Sequence, residues 1–207
     1  MTLTNVILST RNQSKANQIR PIFQDLPVNL LTLEEAGIKG EAVENGKTLE
    51  ENALKKAFFA WELTGSWSMA DDTGILIDAL DGRPGVNSAR WAGESTTTEE
   101  IMRYTLKQLE GVPLEKRTAT FKTVAAVISP EGDHLFFIGR VRGHILTEPR
   151  CTCQPRMPYG PIFVPDGYEK SLVELSVQES EEVSHRGQAF RQVREFFERH
   201  FSKKAAR

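Results

Sequence analysis

The chain has 207 residues, 39% of them hydrophobic and 26% charged, which fits one domain or two small lobes sharing a core and excludes a disordered chain. Its formal net charge of −2 gives no general attraction for nucleic acid, so phosphate binding has to come from a local cluster of basic groups. No apolar run approaches the roughly 18–20 residues of a membrane span, and MTLTNVILSTRNQSK lacks the charged head, apolar core and cleavage site of a signal peptide; both predict a cytoplasmic protein.

In chain order, NVILS (5–9) reads as a buried strand. A helix follows from Asn12 as N-cap towards Phe23, with Pro21 expected to kink it or end it early. VNLLTL (28–33) is a second strand. Residues 48–65 form the clearest helix, opened by a Thr48/Glu51 capping box and stopped at Gly65. SMADD ends a strand at Asp71 and Asp72, and GILIDAL (74–80) is another. A helix spans 97–111. Residues 118–145 read as two long antiparallel strands turning at Pro130–Asp133, and 160–165 as a short strand. The last helix, 186–201, puts Ala189, Val193, Phe196 and Phe197 on one side, and 202–207 reads as a frayed tail. Strand-helix alternation followed by a long hairpin predicts an α/β fold with a mixed sheet.

Four stretches could carry chemistry. STRNQSK (9–15) joins a strand end to a helix start, where main-chain N–H groups favour anions; Lys15 adds charge, and Ser9, Thr10 and Asn12 add hydrogen bonds. It lacks the glycines of a P-loop, and an ordinary capped turn would look the same. In ENGKTLEENALKKA (44–57), Glu44 precedes an Asn-Gly turn, Glu51 and Lys55 are an i,i+4 pair, and Lys56 sits about 100° round the helix from Lys55. Asp71 and Asp72, as strand neighbours, point to opposite faces, so one can hold Mg2+ or orient a water while the other turns away; a capping role at a strand end is the plainer alternative. In SHRGQA, Ser184 is a cap, and His185 and Arg186 occupy a first helical turn that disfavours cations, which suggests a ligand-facing role. Cys151 and Cys153 are too close in sequence to pair easily and have no second pair with which to complete a metal site, so they read as reduced loop thiols.

Taken in order, STRNQSK, ENGKTLEENALKKA, ADDTG, DGRPGVNSARWAG and SHRGQA resemble the inosine triphosphate pyrophosphatase family over nearly the whole chain. The resemblance implies one catalytic domain (1–207) with a long mixed sheet, flanking helices and two lobes around a central cleft, assembled as a homodimer. It implies Mg2+-dependent hydrolysis of ITP, dITP or XTP to the monophosphate and pyrophosphate. By motif, Thr10, Asn12, Lys15 and Lys56 would hold the triphosphate, and Glu44 and Asp72 would bind Mg2+ with Asp71 in support. Asp72 would also accept the proton of the attacking water. Thr73 stands where the family has a substrate-contacting Ser, and His185 and Arg186 would reach the purine. Gly85 would turn the chain in a segment expected to form the cleft or the dimer contact.

Two places depart from the family pattern. Before PIF the family has a Gly-Phe-Gly-Tyr-Asp type run, where this chain reads CTCQPRMPYG: Met157 replaces the stacking aromatic, Tyr159 keeps the Tyr, and Gly160 replaces the Asp. The family's lysine upstream of SHR becomes Ser180, within an acidic stretch. The phosphate half therefore matches and the base-reading half is rewritten, with Met157 and Arg156 as possible substitutes for the stacking ring. Two alternatives follow: the same chemistry on an unusual or modified nucleotide of a specialised biosynthetic pathway or on a nucleoside monophosphate, or nucleotide binding with reduced catalysis.

Overall fold

The computed structural model describes residues 3–205, with side chains described as far as Phe201. The strands are β1 (Thr4–Leu8), β2 (Val28–Thr32), β3 (Trp67–Ile77), β4 (Pro84–Gly85), β5 (Thr118–Ile128), β6 (His134–Ile145) and β7 (Phe163–Pro165). The helices are α1 (Gln13–Phe23), α2 (Leu49–Thr64), α3 (Thr98–Gln108), α4 (Val177–Glu182) and α5 (His185–Ala205). The strands form one mixed sheet in the order β2-β1-β3-β5-β6-β7, with β4 on β3. β1 runs parallel to β2 and β3, whereas β4 and β7 are antiparallel to β3 and β6.

The chain divides into two compact units. The first comprises residues 1–72, 123–139 and 186–207. Its strands alternate cleanly between two faces. Val6 and Leu8 of β1 and Trp67 and Met69 of β3 pack with Ala16, Ile19 and Phe23 of α1 and with Ala189, Phe190, Val193 and Phe197 of α5. Ile7 turns the other way, onto Ala60 of α2, and Ser68 Oγ donates to the Ala57 carbonyl at 2.8 Å. The second unit, 73–122 and 140–185, closes its own core around Ile75, Ile77, Ile101, Met102, Leu109, Ile162 and Phe163.

Several elements differ from the sequence expectation. β3 does not end at the aspartates: it runs from Trp67 through Asp71 and Asp72 to Ile77, and Asp78–Leu80 is a 3-10 turn. The pair is carried mid-strand because each carboxylate finds cations on its own face, as described below. α1 continues past Pro21 to Phe23; the proline costs the Asn17 carbonyl its helical partner, but it lies in the last turn, where only two residues of helix follow it. Thr48 caps α2 through the Glu51 N–H at 3.1 Å, but the Glu51 carboxylate accepts from the Lys47 N–H rather than that of Thr48, so the box is half formed. The complete boxes are at Thr97/Glu100 and Ser176/Glu179. β7 starts only at Phe163, because the Ile162 and Phe163 N–H groups both turn back to the Tyr159 carbonyl. Residues 202–205 continue α5 rather than fraying, and the last two residues of the expected tail lie outside the described residues.

Candidate active site

α1 begins where β1 ends, and this fixes the first set of side chains. The Asn12 side chain accepts the Lys15 N–H at 3.3 Å, and Thr10 Oγ1 accepts the Asn12 N–H at 3.1 Å. The Asn12 side chain therefore caps the helix, and Thr10 closes the turn that leads into it. Ser9 is 5% exposed and its Oγ has no hydrogen-bond partner among the described residues. A buried hydroxyl without a partner is costly.

Strand alternation then separates the adjacent aspartates. Asp71 shares the face of Trp67 and Met69, towards α1 and α5. Lys15 Nζ lies 2.9 Å from its Oδ1 and Arg186 Nε 3.2 Å from its Oδ2, with the carboxylate 1% exposed. Asp72 shares the face of Ser68, towards α2. Lys56 Nζ lies 2.8 Å from its Oδ1, and Asn52 Nδ2 donates to its Oδ2 at 3.2 Å. Lys56 also holds Glu44, Nζ to Oε2 3.0 Å. Lys15, Lys56 and Arg186 thus balance Asp71, Asp72 and Glu44, three charges against three. Each oxygen of Asp71 meets a cation, so its carboxylate anchors Lys15 and Arg186.

The same contacts set the acidities. Burial pushes the Asp71 carboxyl up, but Lys15, Arg186 and Lys56 together hold it well below the usual carboxylate range. Burial also raises Asp72, and there Lys56 does not fully offset it, so Asp72 remains above its ordinary value. Burial lowers Lys15 by more than Asp71 restores. Lys56 is lowered by burial but raised further by Asp72, Asp71 and Glu44, and ends above its usual value. Lys55 does not pair with Glu51 as its spacing suggested; it donates to the Asn45 side chain from the exposed side of α2.

Arg186 reaches Gln18 as well, Nη1 to Oε1 2.9 Å, so two of its nitrogens brace the first unit. In the second unit, His185 stacks on Phe121 with the rings 8° from parallel and their centroids 5.1 Å apart. Met157 is 38% exposed, in a turn where Gln154 bridges to Met157. Thr73 follows Asp72 in β3 and is half-buried. Tyr159 packs within the second unit: it is 3% exposed, its hydroxyl donates to the Ser88 carbonyl at 2.8 Å, and its ring meets Phe121 edge-on. Gly85 turns the chain at φ 58°, where Ser88 Oγ accepts the Ile75 N–H and donates to the Gly85 carbonyl. The acidic stretch around Ser180 is α4, with Lys170 Nζ 3.1 Å from Glu179. Both cysteines are free thiols, and no group of three His, Cys, Asp or Glu side chains among the described residues could hold a metal.

Sequence reasoning passed over Asn52. The available signal was a polar residue four places before Lys56, hence on the same helix face. It is 1% exposed and bonds to both Asp72 and the Gly46 N–H.

The chain is similar to known proteins over most of its length. The Ham1 family model matches residues 6–196. A dITP/XTP pyrophosphatase from Thermoanaerobacter pseudethanolicus is 43% identical over 191 residues, covering 92% of this chain and 95% of that protein. One from Geobacter sulfurreducens is 43% identical over 187 residues, covering 90% and 93%. The solved structure of a HAM1 protein from Coxiella burnetii superposes with a TM-score of 0.87 at 32% identity, over 95% of this chain and 100% of that one.

Proposed function

The chain belongs to the Ham1 family, and from that premise we propose that it hydrolyses deaminated purine nucleoside triphosphates of the dITP, ITP and XTP type to the monophosphate and pyrophosphate, using Mg2+. The observation that carries this reading is the cluster in the first unit, where Lys15, Lys56 and Arg186 meet Asp71, Asp72 and Glu44.

Glu44 and Asp72 fit the metal. Both offer hard oxygen donors, and both lie within 3.0 Å of one Lys56 ammonium, so they already converge on a single positive charge. Mg2+ is ordinarily held by one or two carboxylates together with waters and substrate phosphates, which suits a site lacking a third protein acid. When bound there, the cation would replace Lys56 as the counter-ion of the two carboxylates and screen charge on the leaving pyrophosphate. Lys56 and Lys15 would then hold phosphate oxygens, with Ser9, Thr10 and Asn12 at the helix start beside them. Asp72 would take the proton from a water attacking the α-phosphorus as the bond to pyrophosphate breaks. Thr73, Met157, His185 and Arg186 are the proposed contacts to the nucleoside. The family resemblance also supports a homodimer in the cytoplasm.

A panel of dITP, ITP, XTP, ATP, GTP and modified nucleotides with Mg2+ tests the reading by pyrophosphate release. The deaminated purines should turn over far faster than ATP, and Asp72→Asn should lower kcat by about 10²–10⁴-fold. Release from ITP and XTP no faster than from ATP would sink the stated specificity. A preference for a modified nucleotide would trace to the loop that carries Met157.

A further inference from the structure

We infer that Asn52 is the positioning residue of the Glu44–Asp72 pair, clamping the Glu44 loop to β3 through a single amide that leaves room only for glycine at position 46. This rests on the reading of Glu44 and Asp72 as the ligands of the cation.

Glu44 lies in an exposed loop, in contrast to Asp72 in the sheet. Loops of this kind wander unless the backbone is tied down. Here the Gly46 N–H donates to Asn52 Oδ1 at 2.7 Å, and Asn52 Nδ2 donates to Asp72 Oδ2 at 3.2 Å. The amide can face only one way. Reversed, its oxygen would oppose the Asp72 carboxylate and its NH2 group the Gly46 N–H. A Cβ at position 46 would lie 2.6 Å from Asn52 Oδ1 and 2.8 Å from Glu51 Cβ, so a side chain there would push the loop off the helix. With both bonds in place, Glu44 and Asp72 reach the same ammonium at 3.0 and 2.8 Å. Outer groups that orient metal ligands are commonly worth about 10–100-fold in affinity or activity.

Asn52→Leu removes both bonds while keeping the branched shape of the side chain, and Gly46→Ala keeps the amide but displaces the loop. The full chain is titrated with Mn2+ by EPR without nucleotide, hydrogen exchange is followed across residues 44–47, and the Mg2+ dependence of dITP hydrolysis is measured. Both variants should bind Mn2+ about 10–100-fold more weakly and raise the Mg2+ needed for half-maximal rate by a similar factor. Exchange across 44–47 should accelerate, with KM for dITP at saturating Mg2+ unchanged. A residue that merely stabilised α2 would lower the unfolding midpoint without moving the Mn2+ curve. If circular dichroism shows Asn52→Leu unfolded, Gly46→Ala decides. Unchanged exchange across 44–47 in a folded variant overturns the inference, as does an unmoved Mn2+ curve. A wild-type chain that binds Mn2+ but hydrolyses no dITP overturns the proposed activity and leaves the clamp standing.

Discussion

Burial by itself raises both aspartates of β3, and their neighbours decide where each one settles. Asp71 receives two cations at close range and titrates well below its ordinary 3.8, whereas Asp72 shares one lysine with Glu44 and stays above it. The sign for stability follows from Asp71. A depressed folded value means that the ionised group contributes fully above 3.8, and the contribution is lost as pH falls through the folded value. Urea titrations in EDTA should therefore show wild-type stability declining below about pH 4, with a shallower decline in Asp71→Asn. At pH 7 that variant should lose about 3–5 kcal/mol, because Lys15 and Arg186 are left buried without their counter-ion. Equal acid slopes in the two proteins would mean that Asp71 does not carry the effect. The sequence showed that two carboxylates stand together; it did not show which cations each one meets, since Arg186 is 115 positions from Asp71.

Among the elements, helix starts were the easiest to read. Asn12, Thr48 and Thr97 cap α1, α2 and α3 as their spacing predicts, because a cap depends on residues only three apart. Strand limits were harder. β3 runs unbroken through a polar pair that local pattern takes as an end, and β7 is shortened by a turn whose bonds come from Tyr159. Strand contacts also explain a glycine that local pattern leaves unmarked. A Cβ on Gly143 would sit 2.2 Å from the Val164 carbonyl and 2.6 Å from the Phe163 ring, so β6 and β7 pair only because position 143 has no side chain. Gly143→Ala should destabilise the protein by about 1–3 kcal/mol in urea melts, with faster exchange in β7 than in β1. Wild-type stability in that variant would show that β7 can shift without cost.

At the scale of the molecule, each unit closes a core of its own apolar side chains, and the site's charges cancel three against three. EDTA should therefore abolish hydrolysis while moving the thermal midpoint by less than the ~2–4 °C that 1 kcal/mol produces in a chain of this size. Unfolding on chelation would instead make the cation structural. The sequence by itself determined the α/β class, the helix caps and the buried faces, because those follow from local spacing and periodicity. The tertiary structure alone decided that Asp71 pairs with Lys15 and Arg186 and Asp72 with Lys56, that Tyr159 is buried with its hydroxyl on Ser88, and that Asn52 joins the loop to the strand. Charge pairing and burial depend on distance through space, and the chain brings Lys15, Asp71 and Arg186 together only when the sheet has formed.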